Sequence, residues 1–201
     1  MACNFKSVLK GANACKENPA GVSNFCMIVP FADAVSMTSE DGFIKSVVIN
    51  EEHNMYTITP EGTGDVLKGY RIDFKNQTGH VTSEDNGSGK GNTVTGTGRV
   101  EIGIDEMAVL SRTLSNLDGN FLAFFPTGLK KADPTDTSAS PALVTEWLVV
   151  GNPQGDITWS RATDTGAARG DDHGTTFTVA CDFQVYDTVK YYGEINQADV
   201  A

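Results

Sequence analysis

The chain has 201 residues, 39% of them hydrophobic, with 21 glycines and a formal net charge of −11. That length allows one large domain or two small ones around a sizeable core. The acidic balance argues against a basic nucleic-acid groove and against docking on anionic membranes, and no window approaches the ~20 apolar residues of a spanning helix.

The opening, MACNFKSVLKGANACKENP, holds no apolar stretch of signal-peptide length, so the expectation is a chain made and kept in the cytosol until assembled or released. Residues 1–21 read as an arm or irregular entry. Short apolar strands are expected over 24–31, 42–49 and 54–59, with a turn at Pro60-Glu61-Gly62-Thr63-Gly64. From Leu67 to Asn76, Tyr70, Ile72 and Phe74 alternate with Arg71, Asp73 and Lys75, which is the period of a two-faced strand. The hairpin continues over 80–83, and Glu84 to Gly91 is a polar, Gly-rich loop. A second long strand is expected over 92–104. There Val94, Gly96, Gly98, Val100, Ile102 and Ile104 share one face, and Thr93, Thr95, Thr97, Arg99 and Glu101 share the other. Two glycines on one face signal a bend or close approach by another element.

The period then changes. Met107, Leu110, Leu114 and Leu117 fall at helical spacing, with Asp105 as N-cap and Asp118-Gly119 as the stop, giving one amphipathic helix over about 105–117. A phenylalanine-rich strand at 120–126 follows, then a loop or insertion at 130–141 and a buried strand at 142–150. A short strand at 157–159 leads into a polar stretch, 160–174. In the last long strand, TTFTVACDFQVY, Phe177, Val179, Cys181, Phe183 and Val185 oppose Thr176, Thr178, Ala180, Asp182 and Gln184. Residues 190–195 are a final short strand. The sum is one mainly β domain over 1–201: an antiparallel β-sandwich or partial barrel with a single helix packed on it.

The chemistry-bearing motifs are weak. Gly87 to Gly91, GSGKG, lacks the hydroxyl residue after Lys90 and the helix that a phosphate loop needs. Asp171-Asp172-His173 has metal-ligand types, but neighbours on an extended chain diverge, and a strand-end turn is the default reading. Cys3, Cys15, Cys26 and Cys181 are too sparse for a disulfide framework and lack C-x-x-C spacing; Cys181 reads as a small buried hydrophobe. No nucleophile elbow occurs. Trp147 reads as core, and Trp159 divides evenly between packing and a sugar-stacking platform. No catalytic, cofactor-binding or metal site is assigned, and an enzyme is not expected.

The order of elements carries more. A short arm is followed by VLKGYRIDFKN and NTVTGTGRVEIGI joined by a Gly-rich loop, and the helix DEMAVLSRTLSNL comes next. After it stand NFLAFFP, WLVVGNPQGDI and the closing TGAARGDDHGTTFTVACDFQVY. Over most of its length this resembles the tail tube (major tail) proteins of tailed bacteriophages, particularly a group with an MACN-like start and a Gly/Asp turn before a last Thr-rich strand. The resemblance implies a structural virion protein whose copies join sheet edges into rings, commonly hexameric, that stack into a channel for DNA. Its partners are then itself, other tail proteins and DNA in transient, non-specific passage. No membrane or cofactor is involved, and its place is the virion tail, assembled in the host cytoplasm. On the same resemblance Arg71, Asp73, Lys75, Arg99 and Glu101 face the lumen, although their signs are mixed where the family's wall is acidic. The loop with Glu84, Asp85, Asn86 and Lys90 makes inter-ring contacts, together with the arm 1–21 and the segment 130–141. The alternative class is a monomeric β-sandwich module binding carbohydrate through Trp159. An enzyme would require histidine and carboxylate from distant segments to converge in one pocket.

Overall fold

The computed structural model describes residues 22, 24–34, 42–62, 66–87, 91–100, 104–164, 174–184 and 188–198. The arm 1–21, Lys90, Glu101 and the turn 171–173 lie outside them. The strands are β1 (Phe25–Pro30), β2 (Ile44–Asn50), β3 (Met55–Pro60), β4 (Leu67–Asp73), β5 (His80–Asp85) and β6 (Asn92–Val100). After the helix α1 (Ile104–Leu117) come β7 (Phe121–Ala132), β8 (Leu143–Val150), β9 (Thr158–Asp164), β10 (Gly174–Gln184), β11 (Val189–Tyr192) and β12 (Ile195–Gln197). They build an eight-stranded sheet in the order β12-β4-β1-β7-β8-β11-β3-β2 and a four-stranded sheet in the order β5-β6-β10-β9.

The central strands of the larger sheet explain its shape. β7 begins FLAFFP and is buried without interruption, the pattern of a strand covered on both faces. Phe121, Ala123 and Phe125 enter a core that also holds Phe74, Val94, Phe177 and Val179, and this core fills the space between the two sheets. Leu122 and Phe124 point the other way into a second core with Trp147, Tyr56 and Tyr191. Phe124 meets Trp147 and Tyr191 edge-on at 6.5 and 5.6 Å. The second core exists because the large sheet curls: its far edge, β2, returns to the end of β1 through a bridge between Phe31 and Ile44, and the Ala32 amide donates to the Ile44 carbonyl at 2.8 Å.

The helix has the expected place and nearly the expected bounds. Leu114 and Leu117 enter the core between the sheets, and Asp118 and Gly119 end the helix in the left-handed region at φ 48° and 77°. Asp105 is not the N-cap, because the helix already includes Ile104.

Several boundaries differ from expectation. Pairing is mostly antiparallel, but β11–β3 and β12–β4 are parallel; these partners come from distant parts of the chain, so no hairpin dictates their direction. β6 is described as far as Val100, and Ile104, expected in the strand, is the first described residue of the helix. Glu84 and Asp85 belong to β5, paired with Thr93 and Asn92, which shortens the expected loop. Lys130, Lys131 and Ala132 are strand residues paired with Thr145, Val144 and Leu143, so the supposed insertion is mostly the tip of a bulged hairpin. The first part of the expected polar stretch, 160–164, is the edge strand β9, and 165–173 lie outside the described residues. In β10 the alternation holds through Cys181 and then breaks, since a register shift separates Cys181 from Gln184. The bulge turns Gln184 inward, to full burial, where a polar outward face was expected.

Candidate functional site

In β6, Val94 and Val100 are buried between the sheets. Thr93, Thr95, Thr97 and Arg99 therefore stand on the outer face of the four-stranded sheet. The register extends that face across its neighbours: Thr82 is opposite Thr95, Thr97 lies between His80 and Thr178, and Thr178 is opposite Ser160. The Thr97 and Thr178 hydroxyls lie 3.4 Å apart. The result is a mostly uncharged, hydroxyl-bearing surface, with Glu84, Asp182 and Arg99 around it. At its end by the β5–β6 turn, the Thr93 hydroxyl is within reach of Asp182 Oδ1 (2.8 Å) and Asn86 Oδ1 (2.9 Å), and Asp85 Oδ1 accepts the Gly87 amide at 2.9 Å.

The five lumen candidates do not share one surface. Ile72 and Phe74 of the β4 segment enter the core between the sheets, so Arg71 and Asp73 emerge on the opposite side of the large sheet. There they pair with each other, Arg71 Nη2 to Asp73 Oδ1 at 2.6 Å, and the guanidinium lies 4.1 Å from the centre of the Phe25 ring. Lys75 instead joins Arg99 where the sheets meet. Its amide donates to the Arg99 carbonyl at 2.7 Å beside the Phe74–Val100 bridge, and the Thr78 hydroxyl accepts the Arg99 amide at 3.0 Å. Arg99 thus belongs to the hydroxyl face, and Arg71 and Asp73 point away from it. Glu101 and Lys90 lie outside the described residues.

Two buried polar groups escaped the sequence reading. Glu146 is 3% exposed, in mid-β8. Its Oε2 accepts from Lys190 Nζ at 3.1 Å and Tyr192 Oη at 3.0 Å, with Lys131 Nζ at 3.4 Å, and the Thr127 hydroxyl reaches Oε1 at 3.2 Å. Burial pushes this carboxyl up, but the hydrogen bonds and charges of Lys190, then Tyr192 and Lys131, outweigh it and hold it below the ordinary carboxylate range. A carboxylate fixed as an anion between two ammonium groups is a tie between strands rather than a poised acid. Gln184 is the second group: its Oε1 accepts the Gly151 amide and its Nε2 donates to the Val149 carbonyl, both at 3.2 Å, stapling the end of β10 to the end of β8. A lone acid inside the apolar run LVTEWLVV was a usable signal for Glu146. Nothing local marked Gln184, because the bulge that buries it is set by tertiary pairing.

Cys26 and Cys181 are both fully buried free thiols. Burial, and secondarily Asp73, pushes Cys26 far up. Burial, with Asp156 and Asp182, pushes Cys181 up to about 12. Neither is a nucleophile. Among the described residues no group of three or more His, Cys, Asp or Glu is placed to hold a metal, and no helix is long and apolar enough to cross a membrane.

No protein-family model matches the chain, and searches among curated proteins and among solved structures found no match either. Function is therefore argued from the residues and their placement.

A smaller cavity of about 200 Å³ lies beside Arg71, Phe25 and Trp147, and a larger concave feature lies at the edge of the core between the sheets. Trp159 of β9, half-buried with its ring 6.5 Å from Phe177, lines a cleft of about 540 Å³ with the last turn of α1 and the turns at Asp118 and Asp156. The other tryptophan, Trp147, is buried as expected, its indole N–H donating to the Gly193 carbonyl at 2.8 Å.

Proposed function

We propose that this chain is a tail tube subunit of a tailed bacteriophage, a structural protein that oligomerises into stacked rings around a channel for DNA. We read the curled sheet and its four-stranded partner as a sandwich joined to a partial barrel. The observation that carries the proposal is the four-stranded sheet. One of its faces closes the core, the other is rich in hydroxyls, and the strands β5 and β9 end it on either side. An open edge is a template for a further strand. Copies added head to tail at such edges would continue the sheet into a closed wall with the hydroxyl face inward. β2 gives the large sheet a further edge, where Val48 is 62% exposed. The β7–β8 hairpin tip, with Leu143 63% exposed, projects where successive rings would touch.

The charge agrees with this use. A chain at −11 does not hold phosphates, and hydroxyls offer DNA no ion pair to break as it moves. Arg99 belongs to the proposed wall. Arg71 and Asp73, expected in the lumen from the resemblance, are reassigned to the outside of the ring.

Light-scattering mass and negative-stain microscopy across a concentration series test the proposal. Rings or hollow tubes are the expected result. A strictly monomeric particle throughout the series would overturn it.

A further inference from the structure

We propose that the cleft between the last turn of α1 and the start of β9 binds neutral carbohydrate, with Trp159 as stacking platform and Asp118 and Asp156 as acceptors for sugar hydroxyls. The inference does not require the assembly reading, but Thr158 and Trp159 belong to β9, an edge at which copies would join, so it concerns the unassembled subunit. It turns the sugar-binding alternative from the function of a monomer into a second site on the subunit.

The cleft is built by two turns that lock together. Asp118 and Asp156 both hold left-handed conformations, φ 48° and 50°. The Ile157 amide donates to the Gly119 carbonyl at 3.3 Å, and a Cβ on Gly155 would stand 3.0 Å from that same oxygen. Glycine suits this approach and its positive φ, so the backbone that carries Asp118 and Asp156 is set by the two turns, and both residues line the cleft. Leu114 and Ile157 form an apolar floor beside Trp159, and Ser115 and Thr158 complete the wall. A volume of about 540 Å³ lies within the ~300–1,000 Å³ of small-molecule sites, and its mainly polar lining suits a hydroxyl-rich ligand.

The chemistry selects the ligand class. Among the described residues no lysine, arginine or histidine lines the cleft, and its helix ends with no basic residue in the last turn. The partial negative charge of that helix end adds to the two carboxylates, so an anionic ligand is repelled. Among the described residues neither Asp118 nor Asp156 enters an ion pair, which leaves both free to accept from paired hydroxyls in charge-assisted bonds. The Thr158 hydroxyl already donates to the Ala180 carbonyl at 3.1 Å. It therefore shapes the wall and is not a donor to the ligand. An aromatic face beside such acceptors suits a pyranose, whose C–H side stacks while its hydroxyls reach the rim.

Saturation-transfer NMR and tryptophan fluorescence with cellobiose, maltotriose and chitobiose test the site, with sialyllactose and spermidine as anionic and cationic comparisons. The expected result is saturable binding of a neutral oligosaccharide and none of sialyllactose. Trp159→Ala also removes packing on Phe177, so the decisive variant is Asp118→Asn with Asp156→Asn. Asparagine tolerates the left-handed backbone, and the double variant should fold with an unchanged or slightly raised melting temperature while sugar binding weakens at least about tenfold, the loss of a hydrogen bond to a charged group. The proposal is overturned by absence of binding up to about 10 mM, beyond millimolar affinity. Binding that the double variant leaves intact, or occupancy of the cleft by spermidine in place of sugar, overturns it equally.

Discussion

A methyl group added to Gly96 would clash with the edge of the Phe125 ring, and one added to Gly98 would clash with the Phe74 ring. The two rings stack on each other at 6.2 Å and 22°, and both are buried, so neither can retreat without pushing the other. The paired glycines of TVTGTGRV are therefore seats for aromatic rings reaching across from the large sheet, the close approach that a glycine inside a strand signals. Alanine at Gly96 overpacks this contact and should lower stability by about 1–3 kcal/mol in urea unfolding. Thr95→Ala, on the outer face of the same strand, should stay within about 0.5 kcal/mol. Because the rings touch, Gly96→Ala and Gly98→Ala should not be additive. An unfolding midpoint left unchanged by Gly96→Ala would mean the rings do not sit on the glycines.

At the level of elements, Glu146 ties three neighbouring strands, since Lys131 belongs to β7, Glu146 to β8, and Lys190 and Tyr192 to β11. Its carboxyl is held below the ordinary value in the folded chain. The stabilisation is therefore complete above the ordinary carboxylate pKa of ~4.3 and disappears as pH falls through the lower folded value. Glu146→Gln should cost about 1–3 kcal/mol at neutral pH, less than the ~3–5 of a fully buried pair, because both lysines reach solvent. It should also flatten the acid limb of stability against pH, so the gap between wild type and variant narrows as pH falls below the ordinary carboxylate value. A constant difference between them down to pH 3 would remove Glu146 from the acid transition. The sequence announced the strands that alternate and the helix whose period differs, since each carries its pattern locally. It announced only the start of β9, at 157–159, because the edge position leaves the rest of TWSRATD largely polar, and it did not announce which side of FLAFFP meets which core, because a strand buried on both faces has no period to read. The bulge that turns Gln184 inward and the parallel pairings of β11 and β12 depend on partners far along the chain, and they became visible only in the folded arrangement.

For the whole molecule, the hydroxyl face of the small sheet and the β4 face of Arg71 and Asp73 lie on opposite sides of the core between the sheets, the latter at the margin of the second core, and on the tube reading only one can line a channel. The side of Arg71 and Asp73 carries an ion pair and an arginine over Phe25. The other carries Thr82, Thr95, Thr97, Thr178 and Ser160 in register. Ion pairs anchor polyanions only if a cation can be freed from its partner, whereas an added lysine on a hydroxyl surface has no anion beside it to compete with phosphate. On the tube reading, Thr97→Lys or Thr178→Lys would repeat around every ring. Each such lysine adds a phosphate contact whose strength falls with salt. Particles built from these variants should have tubes of unchanged diameter yet eject DNA more slowly, with the delay shrinking as salt is raised. Thr97→Glu should leave ejection near the wild-type rate, since a further negative charge does not bind phosphate. Arg71→Ala should also leave it unchanged, because that residue faces away from the proposed wall. Normal ejection from the lysine variants together with altered ejection from Arg71→Ala would place the channel on the other side of the subunit, with the hydroxyl sheet outermost.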